Sequence, residues 1–327
     1  MSMPNILVVG GAGFIGSHVT KALGRRGYHP IVFDNLSSGH RDAVTCGTFI
    51  EGDLAHPHDL DAVFSAYRID AVMHFAALID VGESVANPSK YYLHNVAYTL
   101  NLIEAMRKFD VKTLIFSSSA AIFGLPDEIP VCETHPCRPI SPYGQTKLMV
   151  EKILHDCDRA YGLKASCLRY FNAAGGDPKG EIKNYKQKET NLIPLVLRSL
   201  KDPTKFLTIY GTDYPMRDGT CVRDYIHLED LASAHILAME KLLQGGESAH
   251  YNLGNGNGFS VKEVIMAAEE ATGLRVKIVE GARRPGDPPI LIANADKARA
   301  ELGWTPVHTD IKEMITHAWK ALHMESV

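Results

Sequence analysis

The sequence predicts an α/β fold, a doubly wound parallel sheet joined to a smaller mixed α/β lobe. Three observations carry that expectation. Short apolar runs alternate with amphipathic stretches through the first half, a glycine-rich turn joins the first such pair, and the texture changes after Asn172. Alternation of this kind builds βαβ units with helices on both faces of a parallel sheet.

In chain order, Ile6–Val9, Pro30–Phe33, Ala71–Phe75, Leu114–Ser117 and Ala165–Arg169 read as buried strands. Between them Ser17–Arg26, Leu60–Tyr67, Tyr91–Phe109 and Tyr143–Tyr161 carry helical amphipathic patterns. Residues 173–190, rich in Gly, Lys, Asn and Glu, read as a loop or mobile cover. An apolar run follows at Asn191–Leu200, then mixed short segments to about 225. Leu228–Leu243 reads as a helix, and His250–Gly254 as a strand returning to the sheet. From Ser260 a helix, a strand at Val276–Glu280, a proline-rich turn and a final helix complete the smaller lobe. The expected division is therefore 1–172, with 226–256 returning to it, against 173–225 and 257–327.

A chain of 327 residues is longer than one core usually serves, which agrees with two interleaved lobes. Its net charge of −4 gives no basic field for nucleic acid or anionic membranes. The six cysteines are scattered without a Cys-x-x-Cys pair, so reduced thiols in a cytoplasm are expected. Cys132 and Cys137 are close together but lack a second ligand pair, and no metal is expected there. The 15 histidines are dispersed and read as surface or packing residues. The opening Met1-Ser-Met-Pro-Asn leads into a run too short and too soon broken by glycine for a secretion signal. No stretch of about 18 apolar residues suggests a membrane span.

Gly10, Gly11, Gly13 and Gly16 follow a strand and open a helix, the spacing of a Rossmann-like dinucleotide turn. Missing side chains allow close backbone approach to a pyrophosphate, and the helix start adds amide donors. Glycines also make plain turns. Asp34, 18 residues past Gly16 at the end of the next strand, raises the signal. A carboxylate there accepts from ribose hydroxyls and repels a 2′-phosphate, so NAD is expected over NADP. Asp53, after the third strand, is placed either for the adenine edge or as a helix N-cap.

Tyr143 and Lys147 share one helix face at i and i+4. A phenol that accepts a proton near neutrality must be shifted by roughly 3 pH units, about 4 kcal/mol of phenolate stabilisation. A nearby ammonium and a positive nicotinamide can supply it in a dry pocket. The pair alone occurs by chance on many helices. Ser119, in the Ser117-Ser118-Ser119 strand end, can bridge a substrate oxygen and the phenol, although serines after strands are usually caps.

With these residues in order, the chain resembles the extended short-chain dehydrogenase/reductases, and within them the nucleotide-sugar 4-epimerases, over nearly its whole length. The resemblance rests on Gly10–Gly16, Asp34-Asn35, His74-Phe75-Ala76-Ala77, Val81-Gly82-Glu83-Ser84, Ser117–Ala120 and Ser141-Pro142-Tyr143. Further along it rests on Leu168-Arg169-Tyr170-Phe171-Asn172, Asp218-Gly219-Thr220, Val222–His227 and Arg284-Pro285-Gly286-Asp287, which are the more specific motifs. It implies interconversion of UDP-glucose and UDP-galactose through a 4-keto sugar, with NAD as a retained cofactor and Tyr143, Lys147 and Ser119 as the catalytic set. It further implies cofactor contacts from Phe14, Ile15, Asn35, Leu54, Phe75, Ala76, Ala77, Asn95, Ser117 and Tyr170. Substrate contacts are implied from Asn172, Asn191, Leu192, Tyr210, Arg223, Arg284, Asp287 and Leu291, with the two arginines on the diphosphate. A homodimer through Tyr91–Phe109 and Tyr143–Tyr161 is implied as well.

Two departures stand out. Many members carry lysine where this chain has Ile79, so a positive charge is expected to be missing beside the cofactor. Leu291 stands where some members have tyrosine, which leaves room for N-acetylated sugars. A 4,6-dehydratase needs acid and base groups after the strand-end hydroxyl, where this chain has Ala120 and Ala121. A non-catalytic NAD-sensing protein has no need of Tyr143, Lys147 and Ser119 together.

Overall fold

The computed structural model describes residues 3–183, 190–202, 204–284 and 287–323. Residues 184–189 of the expected loop, and Pro285 and Gly286, lie outside the described residues.

The first half runs β1 (Asn5–Val9), α1 (Phe14–Arg25), β2 (His29–Asp34), β3 (Thr48–Glu51), α2 (Pro57–Ala66), β4 (Ala71–His74), α3 (Val81–Ala86), α4 (Pro88–Tyr92), α5 (Tyr98–Lys108), β5 (Thr113–Ser117), α6 (Pro142–Tyr161), β6 (Lys164–Tyr170) and β7 (Asn172–Ala174). The second runs α7 (Leu192–Lys201), β8 (Leu207–Tyr210), β9 (Val222–His227), α8 (Leu228–Leu243), β10 (Ala249–Leu253), β11 (Gly258–Ser260), α9 (Val261–Thr272), β12 (Ile278–Gly281), β13 (Ile290–Leu291), α10 (Asp296–Leu302) and α11 (Ile311–His323).

Seven strands form one all-parallel sheet in the order β10-β6-β5-β4-β1-β2-β3. The order reverses between β1 and β4, and it is there that open α/β sheets leave a crevice beyond their strand ends. Runs such as Ile6-Leu7-Val8 are fully buried because helices cover both faces. On one face α2, α5 and α6 bury Leu60, Leu102 and Leu154 against the sheet. On the other α1 and α8 meet Ile115, Leu168 and Trp304. The smaller lobe has its own core, built by α7, α9 and α11 around Val196, Val264 and Met314. Its strands form a set with β9 between β11 and β13, β7 also pairing β9, and a separate β12-β8 pair.

The sequence expectations hold for the sheet strands to within one or two residues, and three differences are instructive. The stretch 91–109 is not one helix: a π-helical turn at Leu93–Ala97 separates α4 from α5. There Asn95 turns inward, its Oδ1 accepting from the Leu78 amide at 2.8 Å and its Nδ2 donating to the Leu78 carbonyl at 3.0 Å. The strand expected at Val276–Glu280 begins two residues later as β12. The helix α10, closed by Gly303 at φ 63°, was hidden because seven residues are too few to display a period. Among the described residues no helix is long and apolar enough to cross a membrane.

Candidate active site

A cleft of about 780 Å³ opens along the strand ends at the switch between β1 and β4. The glycine turn shapes its floor. A Cβ on Gly10 would stand 2.5 Å from the Ala76 amide nitrogen, and Gly10 has φ +80°. A Cβ on Gly16 would stand 2.2 Å from the Gly10 carbonyl, so this glycine lets α1 sit on the turn. Gly13 differs: its missing Cβ meets only the Gly10 oxygen, at 3.3 Å. It also occupies the N-cap of α1 with no side-chain cap, which leaves the first helical amides for an anion.

Asp34, 8% exposed, accepts from the Ala12 amide at 2.9 Å and the Leu36 amide at 2.8 Å. Burial raises its pKa while those two bonds oppose the rise. Asp53 is not the N-cap of α2, which is His56. It accepts from the Ala55 amide and from Asn35 Nδ2, both at 2.8 Å, and these bonds outweigh burial to hold its carboxyl below the ordinary value. Phe14, Ile15, Leu54, Phe75, Ala76 and Ala77 complete this end of the cleft.

Farther along the wall, Ser141 caps α6 by accepting from the Gly144 amide at 3.1 Å, and Pro142 opens the helix. The cap sets the first two turns of α6, which carry Tyr143 and Lys147 to the end of β5. Lys147, 3% exposed, donates from Nζ to the Ser117 carbonyl at 2.7 Å. That ammonium lies 6.0 Å from the centre of the Tyr143 ring. Ser119 accepts from the Ala121 amide at 3.2 Å and is hydrogen-bonded to the Tyr143 phenol. Ser117 Oγ and the Tyr170 hydroxyl are bonded to each other.

Burial pushes the Tyr143 phenol up, with the Ser119 bond pulling the other way. Burial also lowers Lys147 to about 7, against the raising influence of Glu151. The expected shift counts on a positive nicotinamide as well as the ammonium, and the chain's own groups alone do not bring the phenol toward neutrality. The cause is desolvation of both members in a cleft built for a charged occupant. Behind Lys147, Glu151 accepts from Ser118 Oγ at 2.6 Å and from Arg169 through Nε at 3.0 Å and Nη2 at 2.6 Å. This buried set pins the middle serine of the strand end.

At the other end stand Asn172, Asn191, Arg223, Asp287 and Leu291. Asn172 Nδ2 donates to the Asp224 carbonyl at 3.0 Å. Asn191 begins α7 without capping it through its side chain. Arg223 pairs with the Asp287 carboxylate across the wall. Leu291 packs against the small cluster that contains Ile122 and Phe171.

Four expected contacts are not on the cleft wall: Asn95, Leu192, Tyr210 and Arg284. Asn95 spends its amide on Leu78 and Thr146, so it braces the wall from behind. Leu192 packs into the core of the smaller lobe. Arg284 lies 4.1 Å over the ring of Tyr210, which is 42% exposed, so this stacked pair stands outside the cleft rather than on it. Sequence reasoning missed Lys90 and Lys183, both on the wall. The charge absent at Ile79 is thus present nearby, since Lys90 reaches the wall while donating to Glu83 at 2.7 Å. Its only trace in the sequence is the seven-residue spacing from Glu83, which fits many surface pairs.

Comparison with known proteins follows the same lines. Residues 6–254 match the model of the NAD dependent epimerase/dehydratase family. The chain is 48% identical to a protein of Halalkalibacterium halodurans described as a UDP-glucose 4-epimerase, over 96% of this chain and 94% of that protein. A crystal structure of a UDP-glucose 4-epimerase from Brucella ovis in complex with NAD superposes with a TM-score of 0.95 at 46% identity, over 97% of each chain. The structure of the UDP-Glc/GlcNAc 4-epimerase from Campylobacter jejuni superposes with a TM-score of 0.85 at 40% identity, covering 97% of this chain and 99% of that one.

Proposed function

From the premise that the chain belongs to the NAD dependent epimerase/dehydratase family, we propose that it interconverts UDP-glucose and UDP-galactose by inverting C4 through a 4-keto sugar. The observation that carries this reading is a half-buried phenol and hydroxyl and a buried ammonium meeting in one cleft with a glycine-floored anion cradle. The cradle at Gly13 and the carboxylate of Asp34 fit a dinucleotide with an unphosphorylated ribose. NAD, when bound there, supplies a hydride acceptor and donor and a positively charged ring.

Gly10, Gly13 and Gly16 admit the pyrophosphate, and Asp34, Asn35, Asp53, Leu54, Phe75, Ala76 and Ala77 surround its adenosine half. Asn95 holds the wall, and Lys147, Ser117 and Tyr170 fix the reactive half. Tyr143 takes the proton of the sugar 4-hydroxyl as the alcohol is oxidised, and returns it to the same oxygen when hydride comes back to the opposite face of C4. Ser119 bridges phenol and sugar oxygen. Lys147 holds positive charge beside the phenol, favouring phenolate where burial disfavours it. Arg223 grips the diphosphate with Asn172 and Asn191 and with Asp287 beside them; the exposed Arg284–Tyr210 stack would meet the nucleotide where it leaves the cleft, and Leu192 supports the wall from the core of the smaller lobe. Retention of the diphosphate during turnover lets the ketone swing and present its other face. We assign the dinucleotide to 1–172 with 226–256, and the sugar nucleotide to 173–225 with 257–327. Ala120 and Ala121 lie on the wall and transfer no proton, which disfavours a dehydratase.

The test is direct: protein incubated with UDP-galactose, without added reductant, forms UDP-glucose. No conversion above background rejects the reading.

Leu291 supports acceptance of UDP-GlcNAc as well, because a leucine leaves space at the wall that tyrosine would fill. Leu291→Tyr is expected to lower kcat/KM for UDP-GlcNAc by about 10–200-fold, the range for a lost pocket fit, while UDP-glucose turnover changes little. Equal losses on both sugars would remove Leu291 from specificity.

A homodimer is proposed through α5 and α6, supported by exposed Leu93 and Leu100 on the approach to and along α5. Light scattering is expected to give twice the 35.9 kDa chain mass; a value near the single mass refutes the dimer. Six cysteines without a disulfide support a cytoplasmic setting.

A further inference from the structure

The histidines are dispersed along the sequence, yet three of them converge in space away from the cleft. His227 ends β9 and caps α8, its Nδ1 accepting from the Glu229 amide at 3.1 Å. His308 lies in the strap leading into α11. Its amide donates to Asp230 at 2.9 Å and that of Val307 does so at 2.8 Å, which fixes the strap on the first turn of α8. Glu313 and His317 stand four residues apart on α11 and so share a face.

The three imidazole centres are 4.3, 5.2 and 5.6 Å apart. His227 Nε2 lies 3.1 Å from His317 Nδ1, and His308 Nδ1 lies 2.8 Å from Glu313 Oε1. Ligand-capable atoms of His308, Glu313 and His317 all fall within 4.8 Å of one another. Gly175 makes the room: a Cβ there would stand 2.3 Å from the His227 ring.

Three imidazolium ions could not share this space. Neutral imidazoles keep a lone pair, and together with a carboxylate they form the donor set that zinc and its neighbours prefer. None of these four side chains lines the cleft, so the epimerisation leaves them unexplained.

We propose that His308, Glu313 and His317, backed by His227, form a site for a divalent transition-metal ion of the zinc class. The ion would clamp α11 and its strap to the start of α8. With the His308 Nδ1 proton directed at Glu313, Nε2 of His308 is left to bind. At His317 the ion takes the Nδ1 lone pair that now accepts from His227. Tetrahedral ligands at about 2.0–2.1 Å from zinc stand roughly 3.3 Å apart, so side-chain rotation must draw the set together. Water completes the shell, and the partly exposed His308 and Glu313 give the ion its entry.

The test uses full-length protein without an affinity tag, titrated with zinc chloride by calorimetry and against a chromogenic chelator. One ion per chain is expected, with a Kd below about 10 μM. His308→Ala and His317→Ala should each weaken binding by about 100-fold or more, whereas His56→Ala with His58→Ala, which removes an exposed stacked pair, should not. Because a misfolded variant would also fail to bind, Glu313→Gln serves as the second variant. It should bind about 10–100-fold more weakly while its melting temperature without zinc stays unchanged. Wild-type binding weaker than about 1 mM, equal binding by Glu313→Gln, or loss of binding in the His56 and His58 double variant overturns the site.

Discussion

Tyr143→Phe is expected to lower kcat for UDP-galactose by about 10²–10⁴-fold, the contribution of a positioned acid–base group. The change removes one oxygen from a half-buried ring and leaves the cap by Ser141, the Lys147 bond to Ser117 and the Glu151–Arg169 pair in place. Circular dichroism and bound-NAD content should therefore match the wild type. The loss should fall on kcat, since the proposed substrate grip lies with Arg223 and its neighbours. A variant retaining more than about a tenth of wild-type kcat would take proton transfer away from this phenol.

The parts of the site that share one element were legible in the sequence. Gly10–Gly16, Asp34 and the Tyr143–Lys147 spacing are set by a single turn, strand end or helix, so local spacing determines where they point. What was not legible depends on bonds between distant segments. Asn95 reads from the sequence as a cofactor contact, whereas the bonds of its amide to the Leu78 backbone are revealed only by the folded loop. Lys90 reaches the cleft because the π-helical turn and Glu83 set its position, neither of which has a periodic signature. The phenol's surroundings were legible only in part for a related reason: spacing reports the ammonium beside it, whereas burial, the largest influence the chain itself exerts, emerges only from packing.

Acid should unfold this protein earlier than its carboxylates alone would require. His18, His74 and His235 are 3%, 2% and 0% exposed, and each has one nitrogen without a partner. Their other nitrogens are engaged: His18 and His235 bond the Phe14 and Leu231 carbonyls at 2.8 Å, and His74 bonds Thr99 at 2.9 Å. Protonation would bury a donor with no acceptor, and burial accordingly lowers the three from 6.5 to about 4, 3 and 4. These groups bind protons more readily in the unfolded chain. Their effect on stability is absent above pH 6.5 and grows as a penalty as pH falls toward the folded values. At pH 5 each costs about 2 kcal/mol, and about 6 kcal/mol together, a large part of a typical total. Urea unfolding at pH 7.5 and pH 5 should differ by roughly that amount. A difference under about 1 kcal/mol would show that these rings are not held neutral.

The seventh strand of the main sheet is made from residues 249–253, and the helix that covers one sheet face from 228–243. During synthesis the first six strands therefore emerge with Ile115 and Leu168 uncovered, and with the edge of β6 unpaired. About eighty further residues must leave the ribosome before that edge is closed. The nascent chain is thus exposed to aggregation and to chaperones over this interval, and a fragment ending at residue 172 should be captured by them rather than fold.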